Sequence, residues 1–233
     1  MATLAAPTLR PKDTAPGPAE PPLEPGDRLA RDEFERRYEL MPHLKKAELI
    51  EGIVYMPSPA RAKKHSIPQS HLAAWLGVYR SETPGVECGD NSTVRLDLDN
   101  EPQPDLVLFK LPEKGGQTSI SEDDYIEGAP ELAIEIVGSS RAYDLHQKKD
   151  AYRRNGVCEY LAWITGEKRV VWWELRQGEY HEIAPDADGL LKSRVFPGLW
   201  LDTAALLRGD LKAVLAALRR GLESTEHGAF VAA

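Results

Sequence analysis

The segment Glu131-Leu132-Ala133-Ile134-Glu135-Ile136-Val137 is apolar from 132 to 137 except at Glu135. So short an apolar run reads as a strand with apolar neighbours on both faces. It belongs inside a sheet that other elements must cover. A carboxylate in its middle is expensive, because an unpaired buried ion costs several kcal/mol even after relaxation. A second strand has the same peculiarity. In Pro104-Asp105-Leu106-Val107-Leu108-Phe109, two-residue alternation puts Asp105 on one face with Val107 and Phe109. Either acid alone is as well explained by solvation at a sheet end or by an arginine partner. Both together, in the two most apolar strands, point to a shared cation. Two carboxylates about 4 Å apart repel by roughly 4 kcal/mol at an effective dielectric near 20. A divalent ion between them reverses that sign, and all-oxygen ligands favour Mg²⁺ or Mn²⁺ over zinc.

Two further groups fit such a site. Glu48 opens a predicted strand and is a better third acid than Glu51, which precedes Gly52 in a turn. In the helix predicted over Asp144–Asn155, Leu145 and Tyr152 mark an inward stripe. Lys148 and Lys149 each lie within about 60° of that stripe at about 100° per residue, so periodicity does not choose between them. An ammonium there would be aimed over the end of the preceding strand, where it could stabilise developing negative charge.

The rest of the chain reads as an α+β fold around a mixed central sheet. Residues 1–28 form a Pro-rich tail with few large apolar side chains and seven of the eighteen prolines, and are expected to be disordered. Order is expected from Leu29, in a domain over 29–208. Asp32–Tyr38 is a short helix. Ala47–Met56 is a hairpin turning at Glu51-Gly52. A helix opened by Ser66 carries the stripe Leu72, Trp75, Leu76 and Tyr79. Thr93–Leu96 is a strand, Lys110–Gly128 a long loop, and Gly156 a left-handed helix cap. Glu159–Ile164 and Val170–Leu175 form a second hairpin, and Tyr180–Ile183 adds an edge. Residues 209–233 are expected to be a C-terminal helix, with Leu211, Leu215, Leu218 and Leu222 on one face, followed by a frayed tail from Glu223.

Composition excludes several classes. With two cysteines, Cys88 and Cys158, the chain is no disulfide scaffold or thiolate zinc finger, and a reducing compartment is expected. No apolar run approaches the roughly 20 residues of a membrane helix, and the start of the chain has no signal core. A cytoplasmic protein without membrane association is expected. The formal charge of −8 weighs against a domain that holds DNA by charge alone. Local basic groups remain: Arg61, Lys63 and Lys64 before His65, and Arg141, Lys148, Lys149, Arg153 and Arg154 in a net-positive stretch. His65 and Lys64 are better placed as phosphate contacts in a basic loop than as catalysts. Trp163, Trp172 and Trp173 fall on strands and read as packing. Gly115-Gly116 lacks the Lys-Ser/Thr of a phosphate-cradling loop, and Ser139-Ser140 reads as a turn.

The ordered set Glu48–Gly52, Met56-Pro57-Ser58-Pro59 with His65, Gln103-Pro104-Asp105, Glu131–Val137, Asp144-Leu145 with Lys148 and Tyr152, and Gly156–Tyr160 resembles the Uma-two family. That family is a branch of the PD-(D/E)xK nuclease superfamily, of restriction endonuclease type. The resemblance spans about residues 30–205. It implies a restriction-endonuclease-like α/β core, with a mixed sheet flanked by helices and a metal site at one sheet end. It also implies Mg²⁺-dependent hydrolysis of DNA phosphodiesters. Asp105, Glu135 and Glu48 match the family's metal-binding acids; Arg141 of the net-positive stretch and Gln103 are expected, with His65 and Lys64, as phosphate or DNA contacts. Val137 stands where the superfamily pattern has lysine, and the resemblance assigns that role to Lys148. Gly138-Ser139-Ser140 departs from Ser-Pro-Ser in relatives, a change confined to a turn. Cutting both strands would favour a homodimer. The competing expectations are an inactive nuclease-fold module binding DNA or a protein, and a hydrolase of another phosphodiester.

Overall fold

The structure is a computed structural model and describes residues 20–56, 60–138 and 143–233. The N-terminal part comprises α1 (Arg31–Glu39), the hairpin β1 (Glu48–Ile50) and β2 (Ile53–Tyr55), and α2 (Ile67–Ser81). Then come β3 (Val86–Asp90), β4 (Val94–Arg95), β5 (Leu106–Lys110), β6 (Ser119–Ile120), β7 (Ile126–Glu127) and β8 (Leu132–Val137). The second half holds α3 (Lys149–Arg154), β9 (Glu159–Ile164), β10 (Arg169–Arg176), β11 (Glu179–Glu182), β12 (Leu190–Lys192) and β13 (Trp200–Asp202). It closes with α4 (Thr203–Arg208), α5 (Leu211–Leu222) and α6 (Thr225–Ala232). π-type turns at Ala62–Ser66 and Tyr143–Lys148 lead into α2 and α3.

Six strands make the central sheet in the order β11-β10-β9-β8-β5-β3. Every neighbouring pair is antiparallel except β8 and β9. A parallel pair needs a crossover, and the helical stretch 143–154 supplies it. The sheet is therefore mixed, as expected. β8 and β9 are buried along their whole length.

Alternation divides the sheet into two faces. Leu132, Ile134 and Ile136 pack with Leu161, Trp163 and Trp172 against the α2 stripe and against α4 and α5. Trp75 and Trp172 meet edge-on with ring centroids 5.8 Å apart, a geometry adding about 0.5–1.5 kcal/mol beyond area burial. On the other face Ala133, Val137, Tyr160 and Ala162 pack with Tyr152 of α3. A satellite core joins α1 to the β1–β2 hairpin through Phe34, Leu49 and Val54. Glu51 (φ 55°) and Gly52 (φ 68°) give that hairpin the left-handed two-residue turn its twist requires.

Three expectations change. The tail does not extend to residue 28: Leu23 is buried, and Gly26 and Asp27 exchange backbone bonds with Val54. One leucine and edge pairing on β2 outweigh the local proline content. Lys110–Gly128 is not a plain loop, because β7 lies between β4 and β6 in a small sheet. Glu223 onward does not fray. Ser224 caps α6 by accepting the His227 N–H, and His227 is buried against Thr83. Among the described residues no helix is long and apolar enough to cross a membrane.

Candidate active site

The site is built where β5 and β8 run side by side. Their register pairs Leu106 with Ile134, so one further step sets Asp105 opposite Glu135. Directly opposed residues of an antiparallel pair share a face. The backbone agrees, since Ile136 N–H donates to Asp105 Oδ2 at 2.7 Å. Both acids are buried, as is Glu48 at the start of β1.

One ammonium ties two of these acids together. Lys148 Nζ lies 2.7 Å from Glu48 Oε1 and 2.9 Å from Glu135 Oε1, and is itself only 2% exposed. Tyr152 also donates to Glu135 Oε1, at 2.8 Å. Glu48 Oε1 further accepts the Gln103 N–H at 2.7 Å, and Tyr143 donates to Glu48 Oε2 at 3.4 Å. Asp105 Oδ1 faces other cations, with His65 Nε2 at 3.1 Å and Lys46 Nζ at 4.0 Å.

Burial pushes Glu135 up to about 8, with Asp105, Asp144 and Glu48 adding to the rise and Lys148 opposing it. For Lys148 burial works downward, but Glu135 and Glu48 hold the ammonium well above its ordinary value. Burial would also raise Asp105. The bond from His65, the Lys46 and His65 charges and the Ile136 N–H instead bring it below the usual carboxylate range. His65 is raised, chiefly by its bond to Asp105 and against its own burial. The centre thus divides its cations, with Lys148 between Glu135 and Glu48, and His65 and Lys46 on Asp105.

The structure brings together Asp105, Glu135, Glu48, Lys148 and His65. Lys149 instead stacks on Trp173, Nζ 3.9 Å from the ring centroid, so the lysine left open by periodicity is Lys148. Gln103 is buried and its side chain donates to Thr93. Its backbone holds Glu48, and its amide is spent on that internal bond rather than offered to a phosphate. Lys64 is exposed beside the site, its carbonyl accepting from Thr165. Arg141 lies outside the described residues. Arg153 and Arg154 are taken up by Glu179 and Glu51, so they weaken the basic rim. The sequence reading missed Lys46, Tyr143 and the bond from His65 to Asp105. Lys46 had a signal: it stands two residues before Glu48, hence on the same side of an extended chain.

Among the described residues no three His, Cys, Asp or Glu side chains converge closely enough to define a metal centre. The chemistry of the donor set nonetheless fits a hard divalent cation: oxygen-only acids, desolvated and mutually repelling. Glu48 has both oxygens engaged by protein donors. Both Asp105 oxygens are engaged as well, by the Ile136 N–H and by His65, and what sets Asp105 and Glu135 apart as candidates for such an ion is their place at the shared end of β5 and β8.

The chain is an α/β domain whose mixed sheet, flanked by helices, brings two buried acids and a lysine from the turn before α3 together at one place. The chain belongs to the Uma2 family, described as "Putative restriction endonuclease", whose model matches residues 31–204. Among solved structures it is similar to one titled "a putative nuclease belonging to DUF820" from Anabaena variabilis ATCC 29413. That match has a TM-score of 0.55 at 19% identity and covers 82% of this chain and 99% of the other. At that identity the likeness is one of fold. No curated protein matches.

Proposed function

We propose that the protein is a metal-dependent endonuclease that hydrolyses DNA phosphodiester bonds. The observation carrying this reading is the approach of Asp105 to Glu135 where β5 meets β8, the Asp105 carboxylate accepting the Ile136 N–H beside Glu135, with Lys148 bonded to Glu135. Asp105 and Glu135 would hold Mg²⁺ or Mn²⁺, with Glu48 alongside. When bound, such an ion polarises a phosphoryl oxygen and lowers the pKa of water. Lys148, kept protonated by Glu48 and Glu135, orients the attacking water and offsets charge that develops at the phosphorus. Tyr152 fixes the Glu135 carboxylate, and the Gln103 backbone with Tyr143 fixes Glu48. His65 and Lys46 neutralise Asp105, and with exposed Lys63 and Lys64 they give an acidic protein a local cationic side for the DNA backbone.

The direct test is cleavage of duplex and single-stranded DNA in Mg²⁺ and in Mn²⁺ by the wild type, Asp105→Asn and Glu135→Gln. Loss of cleavage in both variants supports the assignment, and full activity in either defeats it. DNA binding without any Asp105-dependent cleavage would identify a binding module. Hydrolysis of small phosphodiesters in preference to DNA would identify a hydrolase of another class.

A further inference from the structure

A cleft of about 380 Å³ opens beside Asp105, between the first turns of α2 and the end of β3. It is lined by Ser66, Gln69, Ser70, Ala73, Asp90 and Asn91. It adjoins the site through the Asp105 backbone. The Asp105 carbonyl accepts from the Gln69 side chain at 3.2 Å and from the Asn91 N–H at 3.2 Å. Asn91 adopts φ 52°, a left-handed conformation that asparagine tolerates better than most residues.

The hydrogen bonds within the cleft leave acceptors around its one carboxylate. Asp90 Oδ1 accepts from the Gln69 amide and, at 2.8 Å, from Asn91 Nδ2. Both Gln69 N–H groups are thereby committed, one to Asp90 and one to Asp105. Ser70 donates its hydroxyl to the Ile67 carbonyl. The polar groups left for a ligand are the acceptors Gln69 Oε1, Asn91 Oδ1 and the second Asp90 oxygen, with the Ser66 hydroxyl and the second Asn91 Nδ2 N–H as donors beside them. Among the described residues no lysine or arginine lines the cleft, and the one charged residue there is Asp90. A phosphate is repelled there, whereas the cations lie on the Asp105 carboxylate side. A planar ligand that presents N–H donors fits instead, with Ala73 as an apolar floor.

We propose that this cleft binds one nucleobase that presents an exocyclic amino group on its major-groove edge, adenine or cytosine, next to the phosphate being cut. The proposal rests on the endonuclease reading for its substrate and adds base selectivity to it. Asp90 is the specificity-determining residue, since an acidic side chain accepts from cytosine N4 or adenine N6 and repels thymine O4. Gln69 and Asn91 are its amide partners.

The test reads base preference, in two arms. A DNA pool randomised in sequence is bound by the intact protein in Ca²⁺ and the bound fraction sequenced. The same pool is then cut in Mn²⁺ and its ends sequenced. The wild type should enrich adenine or cytosine over thymine about tenfold at one position, a discrimination expected of a good base-edge contact. Asp90→Asn, which turns an acceptor into a partial donor, should shift that position toward thymine. Asn91→Gly, which suits φ 52°, should flatten it. A flat wild-type profile, or an unchanged profile in both variants, overturns the proposal. The two readings fail separately. Asp105-dependent cutting with a flat profile removes the base cleft and leaves the nuclease. An Asp90-dependent profile in the bound pool, without Asp105-dependent cutting, removes the nuclease and leaves the cleft. A protein that binds no DNA loses both.

Discussion

Lys148 Nζ lies 2.9 Å from Glu135 Oε1, although the two residues are separated by the whole turn that leaves β8. The same nitrogen reaches Glu48 at 2.7 Å. One lysine thus ties the N-terminal hairpin to the centre of the sheet. Val137, the last residue of β8, packs in the apolar core instead.

Replacing Lys148 by Met strands two carboxylates. Removing one partner of a buried ion pair costs about 3–5 kcal/mol. Glu135 can relieve part of that by taking up a proton. The loss should therefore be smallest in mild acid and widen as pH rises past about 8. Urea unfolding of the wild type and Lys148→Met across that range measures it, and a pH-independent gap would contradict the shared-ammonium arrangement.

Glu135 carries a pH signature of its own. Its folded value of about 8 lies above the ordinary 4.5, so between those limits the folded state binds the extra proton. Its contribution to stability is full below about pH 4.5 and is lost as pH climbs to 8. Without divalent ions, Glu135→Gln should flatten this part of the pH–stability curve. A divalent ion held by Asp105 and Glu135 must displace the same proton. Titration calorimetry with Mn²⁺ in buffers of different ionisation heat should show proton release below pH 8, and none in Glu135→Gln.

The strands carrying Asp105 and Glu135 could be read from the chain because a lone charge in an apolar β run is locally conspicuous. The position of Lys148 could not be read from periodicity. Residues 143–148 form a π-type turn, where the 3.6-residue rule loses phase and Lys148 and Lys149 stop being equivalent. His65 was visible only as a neighbour of basic residues, since its bond to Asp105 joins positions far apart in the chain. Leu23 and α6 were hidden for a related reason. Proline content and terminal position are local signals, whereas Leu23 and His227 are held by long-range packing.

A second buried acid behaves as a neutral group. Burial raises Glu101 to about 9, helped by a hydrogen bond with Glu35 and opposed by Arg95. Already protonated at pH 7, it should tolerate Glu101→Gln with a change below about 1 kcal/mol. The wild type should lose stability relative to that variant as pH climbs from about 4.5 to about 9 and level off above it, because its folded value is the raised one. Arg95→Ala should be far more damaging. Arg95 holds Glu35 at 2.6 Å, Asp123 at 2.8 Å and Glu127 at 3.1 Å, and covers the Tyr125 ring. Thermal unfolding of the two variants at pH 7 gives the comparison.

Two helical glycines should respond oppositely to alanine. In a helix interior the exchange normally gains up to about 1 kcal/mol. Gly77 in α2 has open space where a Cβ would sit, so Gly77→Ala should realise that gain. Gly221 in α5 does not. A Cβ there would lie 2.1 Å from the Gly198 carbonyl oxygen and 2.9 Å from Trp200 Cγ. Gly198 cannot retreat easily, since its φ of 86° is itself glycine-dependent and its own Cβ position is blocked by the Gly221 carbonyl. Overpacking costs about 1–3 kcal/mol or more and exceeds the propensity gain. Gly221→Ala should lower the unfolding midpoint while Gly77→Ala raises it. Equal and favourable shifts would mean that α5 does not press on the Gly198 turn as closely as the backbone shows.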